Sequence, residues 1–529
     1  MPRPGHVRPS RRRIAVLAVA AATWAAAAAG AHAAPLRWAP CGGPFECATL
    51  PVPVEPAAPA AGTLDVAVIR LPAADPARRI GSLVVNPGGP GGSGVGFVRD
   101  AGTTLFATLN RRFDIVGFDP RGTGASRTVV CLDDAGQEAD ARAATAFPAP
   151  DARDAVVARA RAFQAACTAN SGDLLGSITT ADVAGDMDRL RDALGDARLT
   201  YLGFSYGTYL GATYAALYPG HVRALVLDGG LDPTAYATRP LLTDLRQARG
   251  FQVAMERFLE WCRLECEFGD GAPEAAYTAL LRRADANPLP GTDARPVRAV
   301  DVLNASLVAL YSRQTWPLLA GALQLADLGD GSVVKILSDA AIGRNDDGTY
   351  GDEGAAFNAI TAADREYPAD LAAYDDLRAA WAQESPLFGP GLFWPSSYTA
   401  AGWPVTPRNR FTGPFSPKNL PPVLVVGTTA DPATPYKGSV ALAAELGDAT
   451  LLTMSGDGHT AYGGNSNCID LRVERYLVSL SVPASGIVCP QQATPPAFTV
   501  EAAPVAAARR LRVLAARVRF GGPQARLVR

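Results

Sequence analysis

The pentapeptide G-F-S-Y-G, at residues 203–207, contains a serine two positions after one glycine and two before another. The apolar run L-T-Y-L-G-F leads into this serine and the apolar segment T-Y-L-G-A-T-Y-A-A-L follows it, so a strand, a sharp turn and a helix are predicted. Such a turn lifts the hydroxyl of Ser205 above the sheet, and the flanking glycines avoid steric collision. The start of the helix presents the N–H of Tyr206 to an incoming carbonyl oxygen. The pattern therefore predicts Ser205 as a nucleophile and Tyr206 as an oxyanion donor.

A serine hydroxyl needs a general base, and His221 and His459 are the only histidines outside the predicted leader. His221 stands at the beginning of a predicted strand, so the length of the sheet separates it from Ser205, and we interpret it as structural. His459 lies in the glycine-rich loop S-G-D-G-H-T-A-Y-G-G, which follows the last predicted strand. The sequence predicts His459 as the base and Asp457, in the same loop, as a turn residue.

Two aspartates compete for the role of the acid that orients the imidazole. Asp431, in V-V-G-T-T-A-D-P-A-T-P-Y, follows the predicted strand at 422–427, which comes before the last predicted strand. It is the predicted acid. Asp228 stands at the end of another predicted strand and is the alternative. The chain order Ser205, Asp431, His459 is the order of α/β-hydrolases and differs from the orders of chymotrypsin and subtilisin.

The segment N-P-G-G-P-G-G-S-G, at residues 86–94, follows a further predicted strand. A flexible glycine loop and a phosphate cradle are the other interpretations, but no lysine follows, so the segment is not a P-loop. In an α/β-hydrolase the loop at this point donates the second oxyanion N–H, and glycines let its backbone approach the substrate closely. Gly89 is the predicted donor and Gly88 is the alternative.

Short apolar runs alternate with helical patterns, which is typical of a parallel sheet with crossover helices. A capping signal at Thr179 and Asp182 predicts a helix that ends near Leu194. The predicted strands cover residues 65–71, 82–86, 113–119, 199–204, 222–228, 422–427 and 450–454. Helical patterns without strands occur at 243–265, 299–310, 315–327 and 354–381.

These patterns predict an α/β-hydrolase fold, with a mostly parallel central sheet and a helical insertion between the nucleophile half and the Asp/His half. We call the insertion, residues 235–405, the cap. Residues 35–234 are predicted as the first part of the core, with the oxyanion loop and the serine. Residues 406–490 are predicted as the second part, with the acid and the base.

Charge and composition exclude other classes of function. The chain of 529 residues has 49 basic and 51 acidic side chains, and its formal net charge of −2 provides no basic field for nucleic acid. Two of the four histidines lie in the leader, so a histidine-rich metal site is not expected. The predicted chemistry needs neither a metal nor a cofactor.

The first 34 residues are predicted to be a removable export signal, which implies a secreted or extracytoplasmic protein. Basic residues precede an apolar stretch at 14–30, and A-H-A at 31–33 supplies the small residues that a signal peptidase requires. A general secretory signal and a twin-arginine signal, which S-R-R-R-I matches in part, are the alternatives. No cysteine directly follows these small residues, so a lipid anchor at this site is not expected and no stable membrane anchor is predicted. The Pro-, Ala- and Arg-rich residues 491–529 are predicted to form a largely disordered tail.

All eight cysteines lie after the leader, and in an exported chain an even number favours disulfides. Eight cysteines allow 105 pairings, so the connectivity stays open, with nearest neighbours as the expected partners. The expected pairs are Cys41 with Cys47, Cys131 with Cys167, Cys262 with Cys266, and Cys468 with Cys489.

The serine turn, the N-P-G-G-P-G loop, the D-P-A-T-P segment and the G-H-T-A-Y-G-G segment resemble those of secreted bacterial tripeptidyl aminopeptidases, relatives of prolyl iminopeptidase. The resemblance extends from about Trp38 to Pro490. It implies a serine peptidase of the α/β-hydrolase fold that removes short peptides, often tripeptides, from free amino termini. The chain departs from these relatives at Ala362 and Ala400, which occupy the places of a cysteine pair.

The predicted function is therefore that of an exported serine exopeptidase that acts on peptide substrates through an acyl-enzyme on Ser205. Such an enzyme must hold a free α-ammonium, and Glu256 and Glu260, on a helix of the cap, are the candidate carboxylates, with a solvated helix face as the alternative interpretation. An esterase or amidase of small molecules with the same triad is the alternative. A non-catalytic binding protein of the same fold is a further alternative, which the intact triad disfavours.

Overall fold

The computed structural model describes Met1 and residues 33–492, with the exception of residue 57 and residues 59–61. The predictions for the leader and the tail lie almost wholly outside the described residues. No helix in the described part of the chain is both long and apolar enough to cross a membrane.

A single mixed sheet forms the centre of the described chain, and its ten strands follow the order β1-β2-β3-β5-β4-β6-β7-β8-β9-β10. The strands are β1 (Ala39–Pro40), β2 (Glu46–Pro53), β3 (Thr63–Leu71), β4 (Gly81–Asn86), β5 (Phe113–Phe118), β6 (Leu199–Phe204), β7 (Val222–Asp228), β8 (Val423–Ala430), β9 (Ala449–Asp457) and β10 (Val488–Pro490). From β5 to β10 all neighbours are parallel, whereas β1, β2 and β3 pair antiparallel at one edge. The predicted α/β-hydrolase sheet is confirmed, and the three strands that the sequence did not predict lie at its two ends.

The described α-helices fall into groups before, within and after the cap. They are α1 (Gly94–Leu105), α2 (Ala107–Asn110), α3 (Asp134–Ala143), α4 (Arg153–Leu175), α5 (Thr180–Ala193), α6 (Tyr206–Leu217), α7 (Pro233–Thr238), α8 (Pro240–Glu265), α9 (Pro273–Ala286), α10 (Ala299–Leu310), α11 (Trp316–Asp327), α12 (Ser332–Ile342), α13 (Glu353–Asp364), α14 (Ala372–Asp375), α15 (Arg378–Glu384), α16 (Trp394–Ser397), α17 (Lys437–Leu446) and α18 (Asn467–Ser479). The predicted capping box is present, since the side chains of Thr179 and Asp182 each accept from the other's backbone N–H.

Helices cover both faces of the sheet, which explains why its central strands are apolar at successive positions. Every residue of β4, β5 and β6 is buried. Helices α1 and α18 pack on one face through side chains such as Phe97 and Tyr476. Helices α5, α6 and α17 pack on the other face, where Tyr201 and Leu225 point. A strand buried on both faces needs no polar alternation, so its apolar run is continuous.

The helical segment between β7 and β8 differs from the sequence prediction at one point. Helix α13 ends at Asp364, and the chain turns before it resumes as the short helices α14 and α15. Pro368 causes the break, because proline lacks an N–H donor and restricts the preceding residue, Tyr367, to extended conformations. The continuous helical pattern predicted at 354–381 is therefore wrong across residues 365–371.

Helices α3 and α4, which precede the cap in the sequence, also support it. The Arg298 guanidinium donates to the carbonyl oxygen of Arg142 at 2.7 Å. Arg153 forms an ion pair with Asp375 at 2.8 Å. The cap is consequently attached to the core through α3 and α4 as well as through its two chain connections.

Four disulfides join the cysteines in the expected nearest-neighbour pairs, and no free cysteine is present in the described residues. The predicted pairing is confirmed. The Cys131–Cys167 disulfide joins the start of the α3–α4 segment to the buried face of α4. This disulfide therefore fixes the segment that supports the cap.

Replacement of Cys131 and Cys167 by alanine should lower the free energy of unfolding by about 4 kcal/mol, because the disulfide closes a loop with a sequence separation of 36. Urea denaturation of the oxidised protein measures this loss. The matched control is the Cys41/Cys47 double variant, whose separation of 6 corresponds to a loss of about 2 kcal/mol. A larger loss in the control than in the Cys131/Cys167 variant would contradict the prediction.

Candidate active site

The predicted site residues lie at the carboxyl edge of the parallel strands, where ligands bind in open α/β sheets. The glycine loop follows β4, Ser205 follows β6, and Asp228 ends β7. Asp431 follows β8 and His459 comes two residues after β9. The parallel register thus collects side chains from both halves of the sequence at one edge.

Ser205 has a strained backbone at the turn between β6 and α6. Its φ of 57° and ψ of −125° lie outside the regions that non-glycine residues normally adopt. The N–H of Ser205 donates to the carbonyl oxygen of Asp228 at 2.9 Å, which holds this conformation. A methyl group at Gly203 would collide with the carbonyl oxygen of Gly207, so the turn requires a glycine there. The predicted strand, turn and helix are confirmed.

The glycine loop packs directly against this turn. A methyl group at Gly88 would lie 2.5 Å from the carbonyl oxygen of Phe204, 2.9 Å from Ser205 Cβ and 3.2 Å from the backbone nitrogen of Tyr206. The N–H of Gly88 donates to the side chain of Asn86 at 3.0 Å. Among the described residues no acceptor pairs with the N–H of Gly89. The geometry therefore favours Gly89 over Gly88 as the partner of Tyr206 in an oxyanion hole.

Asp431 and His459 form a buried pair. Nδ1 of His459 lies 2.9 Å from each carboxylate oxygen of Asp431, and the two side chains are 1% and 0% exposed. The N–H groups of Ala433 and Thr434 donate to Asp431 Oδ1 at 2.9 and 2.8 Å, and the Thr434 hydroxyl donates to Oδ2 at 3.0 Å. These donors hold the carboxylate in place, so Nδ1 carries the ring proton toward Asp431 and Nε2 is free to accept one.

Asp228, the alternative acid, supports the histidine loop through its backbone. Its carboxylate accepts from the N–H of Ala461 at 3.0 Å and from the N–H of Tyr462 at 2.8 Å. Burial raises the pKa of Asp228 to about 7, although these two N–H donors and the nearby His459 act in the opposite direction. Among the described residues, Asp431 is the carboxylate that is hydrogen-bonded to the imidazole.

His221 lies before β7, at the opposite end of the strand from Asp228. Its Nδ1 lies 2.7 Å from Asp188 Oδ1, and its ring stacks on Tyr218. It does not line the cavity beside Ser205. The interpretation of His221 as structural agrees with this position.

A cavity of about 640 Å³ opens beside Ser205, and its walls come from the strand ends and from the cap. The cap residues that line it include Asp244, Arg246 and Val253 on α8. Asp232, from the loop after β7, also lines it. The cavity therefore offers carboxylates of its own near the predicted nucleophile.

The structure does not bring Glu256 and Glu260 to this cavity. Both side chains are exposed on α8 beyond Val253, the last residue of that helix that lines the cavity. Glu260 pairs with Arg263, and Glu256 accepts from Gln252 at 3.0 Å. A helix rises 1.5 Å per residue, so α8 carries its later turns away from the site. The choice of these two glutamates from the sequence is corrected on this ground.

A second buried network, which the sequence analysis missed, fixes the side chain of Tyr206. The Tyr206 hydroxyl pairs with the Thr180 hydroxyl. Thr180 in turn donates to Asp364 of α13, through its N–H at 2.7 Å and its hydroxyl at 2.6 Å. Burial raises the pKa of Asp364 to about 7. No local signal in the sequence marks this contact, because Asp364 and Thr180 meet only after the cap folds onto the core.

The fold and this arrangement define an α/β-hydrolase, and the comparisons with known proteins agree. Residues 81–315 match the family described as alpha/beta hydrolase fold, and residues 385–489 match the family described as TAP-like protein. The chain belongs to the α/β-hydrolase family and is a serine hydrolase. Within that family it belongs to the group that includes the tripeptidyl aminopeptidases.

Three relatives show the extent of the similarity. Serine protease Hip1 from Mycobacterium tuberculosis is 35% identical, and the match covers 86% of this chain and 91% of that protein. Tripeptidyl aminopeptidase from Streptomyces lividans is 32% identical over 89% of each chain. Carboxylesterase B from Mycobacterium tuberculosis is 38% identical over 84% of this chain and 86% of that protein. The resemblance predicted from the motifs is confirmed over most of the sequence.

Gly88→Ala should reduce turnover by about 100-fold or more, because its new methyl group must displace Phe204 or Ser205. A displacement of about 1 Å at a reacting group reduces the rate by about this factor. Steady-state kinetics on the folded protein measures the loss. Gly321→Ala is the matched control, because nothing lies within 4 Å of its added methyl group in α11. The control should keep full activity, and near-normal turnover of Gly88→Ala would contradict the close packing of the loop.

Proposed function

We propose that this protein is an exported serine exopeptidase that releases short peptides, chiefly tripeptides, from free amino termini. The observation that carries the proposal is the buried Asp431–His459 pair, at the same sheet edge as the strained Ser205 and beside a cavity that the cap covers. The names of two relatives, a tripeptidyl aminopeptidase and a serine protease, support a peptide substrate. The four disulfides support an oxidising compartment outside the cytoplasm.

In the proposed mechanism Ser205 Oγ attacks the scissile carbonyl while Nε2 of His459 accepts its proton. Asp431 keeps the other ring nitrogen, Nδ1, protonated and stabilises the imidazolium. The N–H groups of Gly89 and Tyr206 bind the oxyanion of the tetrahedral intermediate. His459 then gives its proton to the leaving amine, and water, activated by the same imidazole, hydrolyses the acyl-enzyme. Each step uses groups of the chain and of water alone.

Ser205→Ala, Asp431→Asn and His459→Ala should each reduce turnover by about four orders of magnitude while the fold persists, because the three groups act as a unit. Turnover of a tripeptide p-nitroanilide, with circular dichroism as the check on folding, measures this loss. His221→Ala is the matched control and should stay near wild-type activity. Loss of activity in the control together with activity in His459→Ala would reverse the assignment of the base.

The carboxylates in the cavity support an exopeptidase because a free α-ammonium needs an anionic partner. Asp244 is already neutralised, since Arg365 donates to it at 2.6 Å and Tyr367 at 2.7 Å. In the described part of the chain, Asp232 pairs with a distant cation, Arg246, at 3.7 Å, and accepts the N–H of Ala235 in α7 at 2.8 Å. Asp232 is therefore the group that we assign to the substrate amine.

A second carboxylate beside Asp232 strengthens this assignment. The side chains of Glu445 and Asp232 form a hydrogen bond, and burial together with the neighbouring Asp232 raises the pKa of Glu445, so the two carboxylates repel each other when both are ionised. An ammonium placed at Asp232 relieves that repulsion. A neutral or acetylated amine does not, so the site discriminates by charge.

Free tripeptide amides should be cleaved at least about tenfold faster than their N-acetylated forms, because a hydrogen bond to a charged group contributes roughly 1.5–3 kcal/mol. Asp232→Asn should remove most of this difference. Glu256→Gln and Glu260→Gln, which alter carboxylates outside the cavity, are the matched controls and should preserve it. Measurement of kcat/KM for each pair of substrates decides the outcome. Equal cleavage of free and blocked peptides by the wild type would exclude the exopeptidase mode.

An esterase of small molecules is the second candidate function, and the similarity to a protein named carboxylesterase B favours it. Esters use the same nucleophile, base and oxyanion donors, so the triad variants do not separate the two functions. Parallel assays with p-nitrophenyl esters and tripeptide anilides do so. A kcat/KM for esters that exceeds the value for every free peptide, with no effect of Asp232→Asn, would favour the esterase.

A further inference from the structure

The histidine loop touches the cap at three successive residues, Asp457, Gly458 and His459. We propose that Arg257 and Arg313 of the cap position the general base His459 through Asp457. We call these three residues, Arg257, Arg313 and Asp457, the arginine clamp. The inference rests on the proposed function only in that His459 acts as the base. It assigns positioning roles to residues that lie outside the triad and the oxyanion hole.

The carboxylate of Asp457 is 2% exposed and binds one cap arginine with each of its oxygens. Arg257, on α8, donates through Nε to Oδ1. Arg313, which follows α10, donates through Nη1 to Oδ2 at 2.5 Å, and its guanidinium lies over the ring of Trp316. Asp457 was interpreted from the sequence as a turn residue, and the structure corrects that interpretation, since the side chain connects two separate parts of the cap.

The backbone of Asp457 is fixed as firmly as its side chain. Its N–H donates to the side-chain oxygen of Gln491 at 2.9 Å, and its carbonyl oxygen accepts from the same amide at 2.6 Å. Asp457 is therefore held through its carboxylate by the two cap arginines and through its backbone by Gln491, so it cannot move independently of the cap. A movement of the clamp must be transmitted to the following residues of the loop.

The next two residues transmit that constraint to the imidazole. Gly458 has a φ of +94°, and a methyl group there would lie 3.0 Å from the carbonyl oxygen of Tyr311, so the loop approaches the cap more closely than other residues permit. The N–H of His459 donates to that same carbonyl oxygen at 2.7 Å. The ring of Tyr311 stands edge-on to the imidazole, with centroids 5.4 Å apart.

These contacts fix the position of the His459 backbone, which Asp431 alone does not fix. Asp431 fixes the direction of Nδ1, but the distance of Nε2 from Ser205 depends on the position of the His459 backbone. That backbone is held between the clamp on one side and Tyr311 on the other. Removal of one arginine leaves a buried carboxylate with half of its partners, which favours a rearranged loop.

The test compares Asp457→Asn, Arg257→Gln and Arg313→Gln with Arg257→Lys and Arg313→Lys. In folded enzyme, the Asn and Gln variants should lose about tenfold or more in kcat for a tripeptide anilide. Their KM should stay within about threefold of the wild-type value, because a misplaced catalytic group impairs chemistry rather than binding. The lysine variants should recover part of the loss, since they restore the charge. Arg263→Gln is the matched control, because Arg263 also lies on α8 and pairs with an acid, Glu260, away from the loop.

A second substrate makes the readout specific for the base. Anilide cleavage needs His459 twice, as base and then as the acid that protonates the leaving amine, whereas a p-nitrophenyl ester releases a good leaving group without that proton. The clamp variants should therefore lose more activity on the anilide than on the ester. Partial unfolding would instead reduce both activities by the same factor.

The outcomes separate this inference from the proposed function. Wild-type kcat in folded Arg257→Gln and Arg313→Gln, or a loss that appears in KM, would overturn the positioning role while an inactive His459→Ala still supports the base. An active His459→Ala would overturn the base itself. If Asp457→Asn fails to fold, the two single arginine variants and their lysine counterparts decide the question.

Discussion

Asp228 holds the two halves of the candidate active site together, because its backbone binds one half and its side chain binds the other. Its carbonyl oxygen accepts the N–H of Ser205, on which the strained turn depends. Its carboxylate accepts the N–H groups of Ala461 and Tyr462, which follow the histidine. The cap separates these halves by many residues in the sequence, yet β7 brings them to one point. Burial raises the pKa of this carboxylate, and the same two N–H donors act against that shift.

The cap contacts the predicted catalytic residues as well as covering the cavity. Asp364 of α13 reaches Tyr206 through Thr180, so this predicted oxyanion residue is held from the cap. The carbonyl oxygen of Tyr311 accepts the N–H of His459, so the predicted base is held from the cap too. Such contacts couple the shape of the substrate cavity to the geometry of the reacting groups. A sequence change in the cap that alters specificity is consequently expected to alter turnover as well.

The sequence predicted the parts of the site that depend on local pattern. Continuous apolar runs identified the buried strands, and the residues that follow those strands included the predicted site residues Ser205, Asp431 and His459. The edge strands β1 and β10 were not predicted because they have only two and three residues, and β2 was not predicted because it is largely exposed or half-buried and contains two prolines. The choice of Glu256 and Glu260 failed for a different reason. Position along a helix determines whether a carboxylate faces a cavity, and the sequence does not show at which residue α8 extends beyond the cavity.

The two proposed functions, peptidase and esterase, share the same predicted triad, so the charges in the cavity are what can distinguish them. The cavity is lined by Arg246, Arg249, Arg365 and Lys437 as well as by Asp232, Asp244 and Asp431, so the partners of each acid decide whether it can bind a further cation. Arg365 satisfies Asp244 fully, whereas Asp232 keeps a poor partner and a neighbouring acid. A partly desolvated carboxylate of this kind binds an ammonium strongly and gains nothing from a neutral ester. The presence of such a group beside the predicted nucleophile therefore favours the proposed substrate with a charged amine over one without it.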